Sequence, residues 1–155
     1  MTAQETFSTM MRSRIAPALR KLGLKGSGQT FQLPSDECWA LLGFQRSQWS
    51  DAGHAKFTVN VTVASREAWE RARAQRSYLN ERPSPNTFYG TFVWQQRIGA
   101  LMPGGEDCWW NVRGGAETSA VASAVVDAIR EYALPAMRDE MRRVESNRSD
   151  IASLS

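Results

Sequence analysis

Hydrophobic residues recur along the chain at two different periods, and these periods predict its helices and strands. Near the N-terminus they return every three or four residues from Phe7 to Leu22, which predicts a helix. Pro17 interrupts this pattern, so a kink or a restart is expected there. Helical spacing returns in the last quarter of the chain, where Pro135 predicts a break or a second start.

The middle of the chain alternates between apolar and polar positions, which is typical of β-strands. The alternation is clearest where Phe57, Val59, Val61 and Val63 point one way and the polar residues between them point the other. The segment Cys38–Ser47 is apolar at both alternating sets of positions for most of its length, as in a central strand. Five strands are predicted in all: Thr30–Leu33, Cys38–Ser47, Phe57–Val63, Thr87–Ile98 and Cys108–Val112.

These elements follow one another in the order α-βββ-α-ββ-α. The short middle helix begins after the N-cap candidate Ser65 and ends at Gln75, and Pro103-Gly104-Gly105 predicts a hairpin turn between the last two strands. Short connections favour antiparallel pairing, so we expect an α+β fold with one mainly antiparallel five-stranded sheet and helices on one face. Residues 1–145 are assigned to this single two-layer domain and residues 146–155 to a frayed C-terminal tail.

The composition fits one folded domain and excludes several classes of protein. The chain has 155 residues, of which 42% are hydrophobic, and it holds no apolar run of membrane-spanning length. Its N-terminus has no apolar segment of the kind found in signal peptides, so a cytoplasmic location and no membrane are expected. The net charge of +3 comes mainly from the first helix, and nucleic-acid binding is therefore not expected.

The sequence supplies few candidates for catalysis or metal binding. His54 is the only histidine, and it lies in a turn-like stretch. Cys38 and Cys108 lack CxxC spacing and fall in predicted strands, so we expect two reduced, buried thiols. Paired carboxylates and a phosphate-binding loop are not evident either. We predict no catalytic residue, no metal ligand and no cofactor.

The face of the sheet opposite the helices carries the candidate binding residues. If the long strand keeps its pleat, Tyr89 and Arg97 leave the core on the side opposite Trp94. The predicted hairpin brings Trp109 and Trp110 within reach of Arg97, and one of the two must face outward. The strand that carries Gln45 has two open parities, and in one of them Gln45 supplies an amide on the same face. An arginine held by an aromatic ring beside an amide suits a carboxylate or a backbone carbonyl of a partner.

Six short pieces occur in order along the sequence. They are Leu22-Gly23, Gly28-Gln29-Thr30-Phe31, Phe44-Gln45-Arg46-Ser47, Phe57-Thr58-Val59-Asn60-Val61, Arg97-Ile98-Gly99-Ala100-Leu101 and Trp109-Trp110. Together they resemble the bacterial family called domain of unknown function 4304. The resemblance spans roughly residues 7–135, with Gly23-Leu24 where that family usually has Gly-Phe. It supports one domain and brings no catalytic residues.

Two classes of function stay open at this point. The first is a non-catalytic cytoplasmic module that binds a protein partner through the open sheet face, for example as an immunity or accessory factor. The second is an enzyme or a nucleic-acid-handling protein with a site near Gln45 and Arg97. A cleft with convergent carboxylates would favour the second class, and an aromatic sheet face without perturbed acids would favour the first.

Overall fold

A computed structural model describes residues 1–90 and 92–154, with side chains as far as Asn147. It confirms the α+β class and the mainly antiparallel sheet. Compared with the sequence prediction it adds one strand, β1, which is fully exposed and so leaves no hydrophobic pattern. The elements are α1 Ala3–Met10, a π-helical turn Met11–Ile15, α2 Ala16–Lys21, β1 Lys25–Ser27, β2 Thr30–Leu33, β3 Cys38–Arg46, β4 His54–Ser65, α3 Arg66–Gln75, β5 Trp94–Arg97, α4 Ile98–Leu101, β6 Trp110–Arg113, α5 Ser119–Ala128, a second π-helical turn Ile129–Ala133, and α6 Leu134–Leu154.

The two internal prolines neither break nor restart their helices. Pro17 and Pro135 each occupy the second position after a π-helical turn, and the backbone on either side of that turn stays helical. A proline cannot donate the usual bond to the carbonyl four residues earlier, and its ring clashes with that carbonyl. The wider π turn before each proline therefore lets the helix continue past it.

Every pair of strands in the sheet is antiparallel, in the order β1-β2-β3-β4, with β5 and β6 both on the free edge of β4. β5 pairs with Asn60–Val63 and β6 with His54–Phe57, so they lie end to end along one strand. The predicted hairpin between the last two strands is therefore wrong. The predicted strand Thr87–Ile98 is also too long, because only Trp94–Arg97 pairs with the sheet; residue 91 lies outside the described residues.

One face of the sheet packs against α1, α2, α5, α6 and the two π turns to form the main core. Phe57 lies at its centre, in ring contact with Phe7 at 5.0 Å and with Phe44 at 6.3 Å between centroids. The strands supply alternate residues to this core, as the sequence predicts for β4. The buried strand residues of the cluster are Phe31, Leu33, Cys38, Ala40, Leu42, Phe44, Ala55, Phe57, Val59, Val61, Val63 and Val112.

The second face of the sheet is covered in part by α3, whereas the sequence predicted helices on one face only. Trp69 of α3 is 1% exposed and packs with Ala64, Leu79 and Val93 in a separate cluster. Its indole N–H donates to the carbonyl oxygens of Asn80 and Glu81 at 3.1 and 3.2 Å. These two bonds tie the loop after α3 to the helix. The part of the second face that this cluster does not cover stays open.

The two cysteines differ more than the sequence suggests. Cys38 is buried, and its burial raises its pKa to about 11. Cys108 is half-buried and precedes β6 rather than lying within it; its burial and the nearby Asp107 also raise its pKa. Both thiols are unpaired.

We predict that native protein treated with iodoacetamide at neutral pH is labelled slowly, and at Cys108 before Cys38, because burial and a raised pKa both suppress the reactive thiolate. Peptide mass spectrometry over time measures the order. Cys108→Ser should leave the native protein almost unlabelled until denaturant is added. Fast labelling of Cys38 without denaturant would contradict this prediction.

The end of the chain was predicted to be a frayed tail at residues 146–155. The backbone continues α6 through Leu154. The side chains after Asn147 lie outside the described residues, so a domain of residues 1–145 followed by a frayed tail stays a prediction. No helix in the part of the chain that the structure describes is both long and apolar enough to cross a membrane.

Candidate functional site

A network of amide side chains lies on the open half of the second face. In the sheet register, Gly43 of β3 pairs with Asn60 of β4, which pairs in turn with Arg97 of β5. The Asn60 amide donates to Gln45 Oε1 at 2.7 Å and to Asn86 Oδ1 at 3.0 Å. Gln45 lies two residues after Gly43 in β3, so it shares a face with Arg97, a choice that the sequence had left open.

Gly43 of β3 explains how the loop between α3 and β5 comes close to this network. A Cβ on Gly43 would lie 2.6 Å from Pro85 Cγ and 2.7 Å from Asn86 Oδ1, so a side chain there would displace both residues. Glycine inside a strand is a signature of such close approach. The loop thus rests directly on the strand, and Asn86 Nδ2 donates to the Phe44 carbonyl at 3.2 Å.

The same loop exposes the aromatic side chain of Phe88 to solvent. Gln95 of β5 accepts the Tyr89 backbone N–H at 2.9 Å and donates its own amide to the Thr87 carbonyl. Phe88 lies between these two anchored residues and is 85% exposed. An apolar ring held outward by bonds on both sides resembles the aromatic anchors of binding surfaces.

These groups enclose a shallow pocket of about 290 Å³ between the loop and β5. Amides dominate its lining, and Arg97 is its only charged residue. Its lining residues are Gln45, Asn60, Val61, Pro85, Asn86, Thr87, Phe88, Gln95, Gln96 and Arg97.

Arg97 is held at the pocket's edge by an acid and an indole. Its guanidinium lies 3.1 Å from Asp107 Oδ2 and 5.2 Å from the centre of the Trp109 ring. Trp109 Nε1 donates to the same carboxylate oxygen at 2.8 Å. The indole N–H, and secondarily Arg97, lower the pKa of Asp107, so this carboxylate is ionised at neutral pH.

We predict that Trp109→Phe raises the pKa of Asp107 towards its ordinary value, because phenylalanine keeps the ring but removes the N–H donor. A carboxyl whose folded-state pKa is lowered contributes stability above its unfolded-state pKa, and this contribution is lost as the pH falls through the folded-state value. Carboxyl-carbon NMR titration of Asp107 measures the change. Lys56→Gln, which removes the other cation near the indole, is the matched control. An unchanged Asp107 titration in Trp109→Phe would show that the indole bond has no such effect.

Two of the predicted site residues do not reach the pocket. Trp110 points to the main core, where its ring lies 5.8 Å from that of Phe57. Tyr89 packs against Trp69 on the second face, and its hydroxyl accepts the Ser84 backbone N–H at 2.8 Å. Gln45 and Arg97 line the pocket, and Trp109 supports Arg97 from beside it.

Sequence reasoning missed Asn86, Phe88 and Asp107. All three lie in loops, where a hydrophobic period carries no information. Gly43 was the available signal, because an isolated glycine in an otherwise apolar strand indicates that something approaches closely. Among the described residues, no three His, Cys, Asp or Glu side chains come together in a group that could hold a metal ion.

The fold and the site define an α+β protein that carries a polar, amide-lined pocket on one face of an antiparallel sheet. The family model described as Domain of unknown function (DUF4304) matches residues 15–139, which is most of the chain, and the chain belongs to that family. This confirms the resemblance found in the sequence. No curated protein and no solved structure matches the chain.

Proposed function

We propose that the chain is a non-catalytic, cytoplasmic protein-interaction module that holds an extended segment of a partner in the pocket beside Phe88. The observation that carries the proposal is the amide-lined pocket next to a ring that is 85% exposed. Several of these amides bond within the network, but Gln45 Nε2 and the Gln96 side-chain amide make no bond to any described residue, and together they offer the donor and acceptor that pair with a peptide bond. The exposed ring adds apolar contact area at little entropic cost.

The charges around the pocket favour a backbone carbonyl over a carboxylate as the partner group. Arg97 already pairs with Asp107 at 3.1 Å, so a second carboxylate would compete with one that is in place. Its remaining N–H donors are free to bind a neutral carbonyl. The same pairing argues against acid–base catalysis, because amides do not titrate and Asp107 holds its charge well below neutral pH.

The free thiols support the cytoplasmic part of the proposal. Cys38 and Cys108 are unpaired, and unpaired thiols persist in reducing compartments.

A selection from random displayed peptides tests the proposed function. We expect the selected peptides to bind the wild-type chain, and Phe88→Ala to weaken them tenfold or more, as the loss of a central aromatic does. Trp49→Ala is the matched control, because Trp49 is 84% exposed but lies in the turn between β3 and β4, away from the pocket lining. Fluorescence anisotropy with a labelled peptide gives both affinities.

Three outcomes would reject the proposal. One is that no peptide is enriched. Another is that both aromatic variants bind equally well. The third is that a single-stranded oligonucleotide binds the pocket more tightly than any peptide, which would favour a nucleic-acid-handling role at the same residues.

A further inference from the structure

A second pocket, of about 320 Å³, lies between the first helix and the tip of the β1–β2 hairpin. It is remote in sequence from the amide-lined pocket and shares no lining residue with it. Its volume is at the lower end of the range for small-molecule sites. Its lining residues are Phe7, Ser8, Met11, Arg12, Ala16, Arg20, Ser27, Gly28 and Gln29.

The floor of this second pocket is apolar, and the first π turn builds it. Met11 and Ala16 are 4% and 3% exposed, and they lie five residues apart. The backbone N–H of Ala16 donates to the Met11 carbonyl, five residues back, which is the bond of a π turn. In a regular helix residues five apart point in quite different directions, so the π turn is what sets both side chains beside Phe7.

The rim of the pocket is basic, and its charge is uncompensated. Arg12 makes no hydrogen bond or ion pair with any residue that the structure describes. Arg20 donates to the Gly26 carbonyl at 3.0 Å and makes no ion pair with any residue that the structure describes. No acidic residue lines the pocket.

Some arginines elsewhere in the described chain are paired with carboxylates. Arg14, Arg73 and Arg130 lie 2.9, 3.1 and 2.9 Å from the carboxylates of Glu117, Glu70 and Asp127. Arg12 and Arg20 line the same cavity without a carboxylate partner, and they concentrate positive charge at its mouth.

We propose that this second pocket binds a small organic anion, in which a carboxylate or phosphate is attached to an apolar group. The apolar part rests on Phe7, Met11 and Ala16, and the anion pairs with Arg12 and Arg20. Guanidinium groups bind both carboxylates and phosphates through paired N–H donors, so both anion types suit this rim. The volume suits one aromatic or branched group.

Isothermal titration calorimetry with four small probes tests the proposal. Phenyl phosphate and benzoate carry both features, benzyl alcohol lacks the charge, and inorganic phosphate lacks the apolar group. We expect at least one of the first two to bind tenfold or more tightly than both of the others. The tighter of the two identifies which anion the site prefers.

Substitutions then place the binding in this pocket. The variant Arg12→Gln with Arg20→Gln should weaken the preferred probe at least tenfold and should stay folded, because both side chains are exposed. Arg12→Gln alone gives the same test without touching the Gly26 bond. Arg71→Gln, on the exposed surface of α3, is the control and should leave the affinity unchanged. In NMR spectra, the probe should shift the amide signals of Gly28 and Ala16.

Several results would overturn the proposal. Absence of binding by phenyl phosphate and benzoate would do so. Equal affinity for inorganic phosphate or benzyl alcohol would show that the charge and the floor do not act together. An affinity that Arg12→Gln leaves unchanged would show that the probe binds elsewhere.

Discussion

Replacing Trp69 with alanine should lower the free energy of unfolding by about 3–5 kcal/mol, the usual cost of removing a large buried aromatic side chain. Trp69 is 1% exposed and is the largest member of the cluster on the second face. Its ring lies 5.0 Å from that of Tyr89 and 6.0 Å from that of Phe92, and its N–H serves two loop carbonyls. Alanine leaves a cavity and removes the donor for both carbonyls. Urea unfolding followed by circular dichroism measures the loss.

The matched control is Tyr78→Ala in the same loop. Tyr78 is 78% exposed, so its removal should change the stability by less than about 0.5 kcal/mol. Trp69→Ala should also disorder the loop that carries Asn86 and Phe88, and binding of the selected peptides should fall with it. A Trp69→Ala variant with wild-type stability would show that α3 and its loop contribute little to the folded state.

The strands that the sequence located well are those whose pattern is set by the main core. β2 has its predicted bounds, and β3 ends one residue before its predicted end. The alternation over Phe57–Val63 is correct, and β4 extends beyond it at both ends. In β4 the face towards the core imposes a period of two that can be read directly, whereas β3 was recognised by apolar residues at both parities.

The errors occurred where apolar residues pack against something other than the main core. Tyr89, Phe92 and Val93 continue the alternating pattern of β5 towards its N-terminus, which predicted a long strand. They instead pack around Trp69 as part of a loop. Periodicity records that a residue is buried but not which partner buries it. The predicted hairpin is wrong because β5 and β6 do not pair with each other: both pair with the same edge of β4.

The candidate site could be predicted only in part. Strand parity put Arg97 on the face opposite Trp94, but it left two choices for Gln45, and the register through Asn60 places both residues on one face. Their neighbours Asn86 and Asp107 come from loops whose paths depend on tertiary contacts. The apolar second pocket was hidden for another reason, since a regular helical period does not put Met11 and Ala16 on one face.

Replacing Gly99 with alanine should destabilise the protein by about 3 kcal/mol, near the upper end of what overpacking costs. A Cβ on Gly99 would lie 2.2 Å from the Glu106 carbonyl oxygen and 2.7 Å from the Cys108 backbone nitrogen. Both are backbone atoms, so no side chain can turn aside to make room. The segment between α4 and β6 must move, and it carries Asp107 and Trp109. The contact between Arg97 and Asp107 should therefore weaken along with the fold.

Thermal unfolding and the NMR titration of Asp107 together check this expectation for Gly99→Ala. We expect a lower Tm and an Asp107 pKa closer to its ordinary value, because the carboxylate loses its contacts with Trp109 and Arg97. Ala100→Ser is the matched control, since Ala100 follows Gly99 in α4 and is exposed. It should leave both measurements nearly unchanged. A Gly99→Ala variant with wild-type Tm and an unchanged Asp107 titration would mean that α4 and the 106–108 segment are not packed backbone to backbone, and the supported position of Arg97 would then need another cause.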